Sequence, residues 1–316
     1  MTTAYAPGKV ILFGEHAVVY GRPAIAVPVS QVRACAVVEN ASLGKGMTIR
    51  ATDLELALRL DASTATDHPA YALQATVRNV LGWLQCSSVP DLTLTVSSTV
   101  PMARGLGSGA ALATAVVRAL SRHLGRELTS QQVSELVYQT EVIHHGTPSG
   151  IDNTVVAFER PVYFVRGQPI EVLQVRRPFW LAIGDTGIAS PTRVAVGDVR
   201  RGWQSDPRTY DALFDCIGAI AAAAKQAIAS GNLPALGVFM DENQVLLARL
   251  GVSSPELDRL LHAARAAGAM GAKLCGAGRG GNMIALVAQD QAKSVATALR
   301  RAGAANAIVT QVPQSE

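Results

Sequence analysis

The chain has 316 residues, 49% hydrophobic and only 16% charged, a balance that supports a large core, favours two domains and excludes intrinsic disorder. Its net charge of +4 carries no long basic stripe, and no apolar run reaches about 18 residues without a charge or turn, which argues against nucleic-acid and membrane partners. The opening M-T-T-A-Y-A-P-G-K lacks the pattern of a signal peptide, and Cys35, Cys86, Cys216 and Cys275 form no CxxC pair, so the chain reads as soluble and cytoplasmic with neither a zinc spacing nor a disulfide framework.

In chain order, residues 5–38 hold several short β-rich runs, V-I-L-F, A-I-A-V-P-V and C-A-V-V, punctuated at Gly14, Gly21 and Pro23. A helix is predicted at about 69–85, and D-L-T-L-T-V-S then alternates as a half-buried strand, with Leu92, Leu94 and Val96 on one face. The stretch P-M-A-R-G-L-G-S-G-A-A-L-A-T-A-V-V-R-A-L at 101–120 leads from that strand into a small-residue helix. A further helix at about 129–144 stops at Gly146 and Pro148, and a loop is expected to deliver Asp152.

Beyond residue 180, W-L-A-I-G-D reads as a strand. Three helical segments are predicted over roughly 192–268, broken at D-P, G-N-L-P and S-S-P, and then come a glycine cluster, the strand N-M-I-A-L-V, a helix near 290–302 and the strand A-I-V-T-Q-V. Strand, helices, strand, strand, helix, strand is the split βαβ pattern with an enlarged first crossover. The expected organisation is α+β, with domains at 1–178 and 179–316 that pack closely and share a cleft.

Two glycine clusters stand out. G-L-G-S-G-A-A at 105–111 sits between a strand and a helix, where unpaired backbone N–H groups can receive an anion and Ser108 can either cap the helix or turn its hydroxyl to a phosphate or Mg²⁺. A tight turn with a serine cap explains the same residues, and the cluster is neither a Walker A nor a dinucleotide fingerprint. The second, G-A-G-R-G-G at 276–281, is unfavourable to order unless its backbone takes conformations other residues resist; a wall around a phosphate explains it, with Gly278, Arg279 and Gly280 at its centre. Arg279 can add charge there or simply face solvent.

Phosphoryl transfer needs magnesium ligands, cations and a group that orients the nucleophile. Glu141 lies on the predicted helix and Asp152 follows 11 residues later, where an Asx turn is the alternative reading. His144 and His145 are adjacent and lack the i,i+4 spacing of a zinc pair, which disfavours a metallohydrolase. The basic residues number 28, yet only five are lysines, and of these Lys9 and Lys273 fall in glycine-containing motifs. Close to a carboxylate, Lys9 would stabilise ionised Asp152 and lower the pKa of a substrate hydroxyl. Glu15 is open to pairing with Lys9 or another cation, and His16 to donating a hydrogen bond to substrate; both are equally open to purely structural roles.

A-P-G-K-V-I-L-F-G-E-H-A-V-V-Y-G at 6–21, P-M-A-R-G-L-G-S-G-A-A at 101–111 and K-L-C-G-A-G-R-G-G-N-M-I-A-L at 273–286 resemble the three ordered motifs of the GHMP small-molecule kinases. Within that superfamily, E-H-A-V-V-Y-G together with H-G-T-P-S-G-I-D-N is most similar to the mevalonate kinase branch. The resemblance implies an N-terminal domain like domain 2 of ribosomal protein S5, a ferredoxin-like C-terminal domain, and ATP-dependent phosphorylation of the C5 hydroxyl of mevalonate. It further implies that Asp152 acts as base or orienting carboxylate with Lys9 beside it, and that Glu141 and Ser108 hold Mg²⁺. Gly105, Leu106, Gly107, Ser108, Gly109 and Ala110 would wrap the ATP phosphates, and Glu15, His16 and Thr192 would meet the acceptor. Homodimers are common in that family. Three residues depart from the usual pattern: Gly109 stands where a second serine is usual, Cys275 where threonine is common and Asn282 where cysteine is frequent.

Overall fold

The computed structural model describes the chain except Asp67, Pro69, Ala103, Thr147, Pro191 and Glu316, and the side chains of His144 and His145. The first part runs β1 (Thr2–Phe13), β2 (Ala24–Asn40), β3 (Thr48–Ala51), β4 (Leu56–Arg59), α1 (Tyr71–Trp83), β5 (Leu92–Ser98), α2 (Ser108–His123), α3 (Ser130–His145) and α4 (Ile151–Phe158). After β6 (Val162–Phe164), β7 (Glu171–Val172) and β8 (Phe179–Asp185) come the helices α5 (Thr192–Ser205), α6 (Pro207–Ser230), α7 (Leu233–Arg249) and α8 (Pro255–Ala266). The chain ends with β9 (Gly271–Cys275), β10 (Asn282–Val287), α9 (Ala292–Arg301) and β11 (Asn306–Val312).

These elements form two compact units, one of Met1–Gly8, Val32–Pro101 and Gly107–Glu159, the other of Lys9–Gln31, Met102–Leu106 and Arg160–Glu316. In the first, β5 pairs antiparallel with the end of β2 (Ala36 opposite Val96) and parallel with β3 (Ile49 opposite Leu94). Leu92, Leu94 and Val96 are buried while the threonines between them are partly exposed, as the alternation predicts. Helix α2 packs on β5 and on α3 and α4. A capping box, in which Thr129 accepts from the Gln132 N–H and Gln132 accepts from the Thr129 N–H, starts α3.

In the second unit, β8, β9, β10 and β11 form a four-stranded sheet in the order β11-β8-β10-β9, antiparallel throughout. This is the ferredoxin-like arrangement, with α5 to α8 in the first crossover and α9 in the second. The breaks at D-P, G-N-L-P and S-S-P are helix starts: Asp206, Asn232 and Ser254 cap α6, α7 and α8, each with proline in the first turn. Three breaks separate four helices, one more than predicted. Helix α6 is long and apolar enough by length and composition to cross a membrane, yet Leu213, Phe214, Ile217, Ala221 and Ile228 are buried in the protein core.

Two further expectations change. The separate β-rich runs of 24–40 form one 17-residue strand, because Pro28 and Ser30 do not interrupt it. Asp152 lies in the first turn of α4 rather than in a loop, since Gly150, at φ 96°, opens a helix too short and apolar to be told from a strand by periodicity.

Candidate active site

Three stretches far apart in sequence meet inside the second unit. The Lys9 N–H donates to the Leu106 carbonyl at 2.9 Å, the Cys275 thiol to the Ile11 carbonyl at 3.4 Å, and the Asn282 amide to the Arg104 carbonyl. Residues 9–11, 104–106 and 275–282, one stretch from each motif, are therefore tied to one another by hydrogen bonds to backbone carbonyls. This gives two departures from the usual pattern a local role: Cys275 and Asn282 are both buried donors, and burial pushes the Cys275 thiol up to about 11, so it keeps its proton.

Beyond Phe13 the chain turns at Gly14, where φ is 94° and a Cβ would lie 2.5 Å from the Pro23 carbonyl and the Ala24 backbone, so only glycine fits. Glu15 and His16 follow, buried, before a short 3₁₀ helix at Ala17–Tyr20. His16 has φ 61° and ψ −50°, a strained setting for a residue with a Cβ. Its Nε2 lies 3.1 Å from the Ala277 carbonyl, which only accepts, so Nε2 carries the proton and Nδ1 is left as an acceptor. Burial lowers the His16 pKa to about 4, keeping the ring neutral near pH 7.

Glu15 forms an ion pair with Lys273, and both side chains are fully enclosed. Strand alternation explains the reach: Ala272 and Leu274 on β9 face the helix-covered core, which turns Lys273 and Cys275 to the opposite face. Lys273 was marked in the sequence by the scarcity of lysine and by its glycine-containing motif, and no local signal named its partner. Lys9, on β1, is itself buried.

The second glycine cluster owes much of its composition to packing. A Cβ on Gly278, at φ 78°, would lie 2.0 Å from the Val252 carbonyl, and one on Gly280 would lie 3.0 Å from Ile188. Arg279 neither faces solvent alone nor stands as an unengaged charge: its guanidinium pairs with Asp198 of α5, its Nε donates to the Gly251 carbonyl at 3.2 Å, and it holds the Asp198 carboxyl below its usual range. Thr192 is the exposed first residue of α5.

In the first unit, Ser108 is the first residue of α2 and does not cap it. The cap position is Gly107 at φ 73°, which has no side chain to accept from the first-turn N–H groups. Together with Gly109 and Ala110, this exposes a helix N-terminus of the kind that receives anions. The connection at 124–129 folds α3 back on α2, so the end of α3, carrying buried Glu141, lies at the same end of the hairpin as Ser108. Helix α4 opens five residues after α3 and places Asp152 in its positive first turn. The side chains of His144 and His145 lie outside the described residues.

Among the described residues no group of three or more histidine, cysteine or acidic side chains is assembled for a metal ion. Mg²⁺ does not need one: it binds through one or two carboxylates together with substrate phosphates, and the oxygen donors Glu141 and Ser108 suit it.

This architecture, with a split-βαβ unit following a unit of helices on a mixed sheet, is that of a two-domain small-molecule kinase. Residues 70–160 match the GHMP kinases N terminal domain, and residues 224–305 the GHMP kinases C terminal domain. The chain is 35% identical to mevalonate kinase of Pyrococcus furiosus, across 95% of this chain and 93% of that one, and 30% identical to mevalonate kinase of Saccharolobus solfataricus, across 90% of each. Among solved structures it is similar to L. major mevalonate kinase in complex with R-mevalonate, with a TM-score of 0.82 and 28% identity over 100% of this chain and 97% of that one. It is also similar to mevalonate kinase from methicillin-resistant Staphylococcus aureus, with a TM-score of 0.71 and 30% identity over 98% of both chains. The chain belongs to the GHMP kinases.

Proposed function

We propose that the protein transfers the γ-phosphoryl group of ATP to the C5 hydroxyl of mevalonate, giving 5-phosphomevalonate and ADP. The observation that carries this reading is full-length similarity to mevalonate kinases combined with the E-H-A-V-V-Y-G turn, whose glutamate and histidine are buried and polar in an otherwise apolar setting.

The roles follow from the chemistry of each group. The open N-terminus of α2, with Gly107, Ser108, Gly109 and Ala110, receives the phosphates. Glu141 and Ser108 would hold Mg²⁺, which when bound neutralises charge on the phosphates. Asp152 orients the C5 hydroxyl and accepts its proton as that oxygen attacks phosphorus, and Lys9 supplies a compact positive charge that favours the ionised oxygen. Glu15, His16 and Thr192 serve the acceptor.

A coupled ADP-release assay with Mg·ATP and a panel of mevalonate, phosphomevalonate, homoserine and sugars tests this. Turnover should depend on mevalonate and fall by about two orders of magnitude or more in D152N. Turnover with another acceptor alone overturns the specificity; an unimpaired D152N overturns the catalytic assignment.

A further inference from the structure

Lys273 has no part in the roles above, yet it is an ammonium with 0% side-chain exposure, one of five lysines in a chain that otherwise uses arginine. Its Nζ donates to Glu15 Oε1 and, at 2.7 Å, to the Leu274 carbonyl. Glu15 Oε2, also buried, has no hydrogen-bond partner among the described residues, and neither has His16 Nδ1 on the next residue. A buried acceptor left unmatched is costly, and two in succession at a strained turn point to a ligand that supplies donors. Both atoms are acceptors, so the group they fit is a hydroxyl; a carboxylate would be repelled by Glu15.

We infer that Lys273 is a positioning residue: it keeps Glu15 ionised and engages Oε1, so that Oε2 stands ready to accept a hydrogen bond from an acceptor hydroxyl. This rests on the phosphorylation of a hydroxy-acid acceptor proposed above. The charged and titratable groups around Glu15 are Lys273 and Cys275 on β9, Lys9 on β1 and the adjoining His16. Burial pushes the Glu15 carboxyl up, and the Lys273 ammonium draws it back. Without that ammonium the carboxyl takes a proton, and Oε2 is lost as a charged acceptor.

The experiment compares wild type, K273M and the charge-free pair E15Q/K273M. In K273M the KM for mevalonate should rise roughly 10- to 100-fold at neutral pH while the KM for ATP stays unchanged. Affinity for mevalonate should return as pH is raised and Glu15 ionises. E15Q/K273M should bind mevalonate as weakly with no such recovery, and removing both charges leaves no stranded ion to unfold it. Difference infrared spectra, which need no acceptor, should show a protonated carboxyl band in K273M that wild type and the double variant lack. A wild-type KM for mevalonate in either variant, an equal rise in both KM values, or an ionised Glu15 in K273M would overturn the inference. Wild-type protein that turns over a different acceptor refutes the mevalonate reading instead, and the infrared result still decides the role of Lys273.

Discussion

The backbone N–H of Lys9 donates to the carbonyl of Leu106 at 2.9 Å, and two residues upstream the Arg104 carbonyl accepts from the side chain of Asn282. Residues 104–106, which lead into the start of α2, are thus held by the Lys9 main chain and the Asn282 amide, with the Arg104 guanidinium also 3.6 Å from Asp185. Replacing that amide tests how much order the loop draws from it. Asn282→Ala should cost about 1 kcal/mol of stability and raise the KM for ATP several-fold, with the KM for mevalonate little changed. Urea unfolding and initial-rate kinetics read the two effects.

Stability should depend on pH through His16. Its folded pKa is about 4 against an ordinary value of 6.5, so between these values the unfolded chain binds a proton that the folded chain does not. The contribution is fully present above about pH 6.5 and is lost as pH falls towards 4, amounting to about 3 kcal/mol. Unfolding midpoints measured across that window should fall for wild type and flatten for His16→Gln. Equal slopes in both proteins would refute the assignment.

Ser108 and Thr129 stand at the two helix starts of one hairpin but do different work. Thr129→Ala removes a true cap and should cost about 1 kcal/mol. Ser108→Ala removes no cap, so its stability should stay within about 0.5 kcal/mol of wild type. The Mg²⁺ concentration giving half-maximal rate should rise in Ser108→Ala and stay put in Thr129→Ala. Thermal unfolding and magnesium titrations of the two variants separate these roles.

Gly278 has no room for a side chain. Gly278→Ala would place a Cβ 2.0 Å from the Val252 carbonyl at a positive φ, and should lower stability by more than about 2 kcal/mol. Gly21→Ala is the control, because nothing lies within 4 Å of its Cβ position and only the backbone strain at φ 79° applies. Equal losses in the two would show that conformation alone, not contact, requires glycine at 278.

The local content of the chain was legible without coordinates. Alternation placed Leu92, Leu94 and Val96 on the buried face of β5, the Asp-Pro and Ser-Pro pairs marked breaks between helices, and the order of strands and helices after residue 179 announced the split βαβ unit. The three glycine-bearing motifs were sufficient to indicate the kinase family, since they depend on residue type and spacing. Tertiary structure alone decided the partners. Glu15 and Lys273 are 258 residues apart, and no periodic signal spans that distance; they meet because β9 turns Lys273 away from its helix-covered face. Packing likewise decided that Gly278 accommodates Val252, that Arg279 engages Asp198, and that Gly107 rather than Ser108 caps α2. Propensity and pattern act over a few residues, whereas the burial of a charge is settled by whichever distant strand brings its counter-ion.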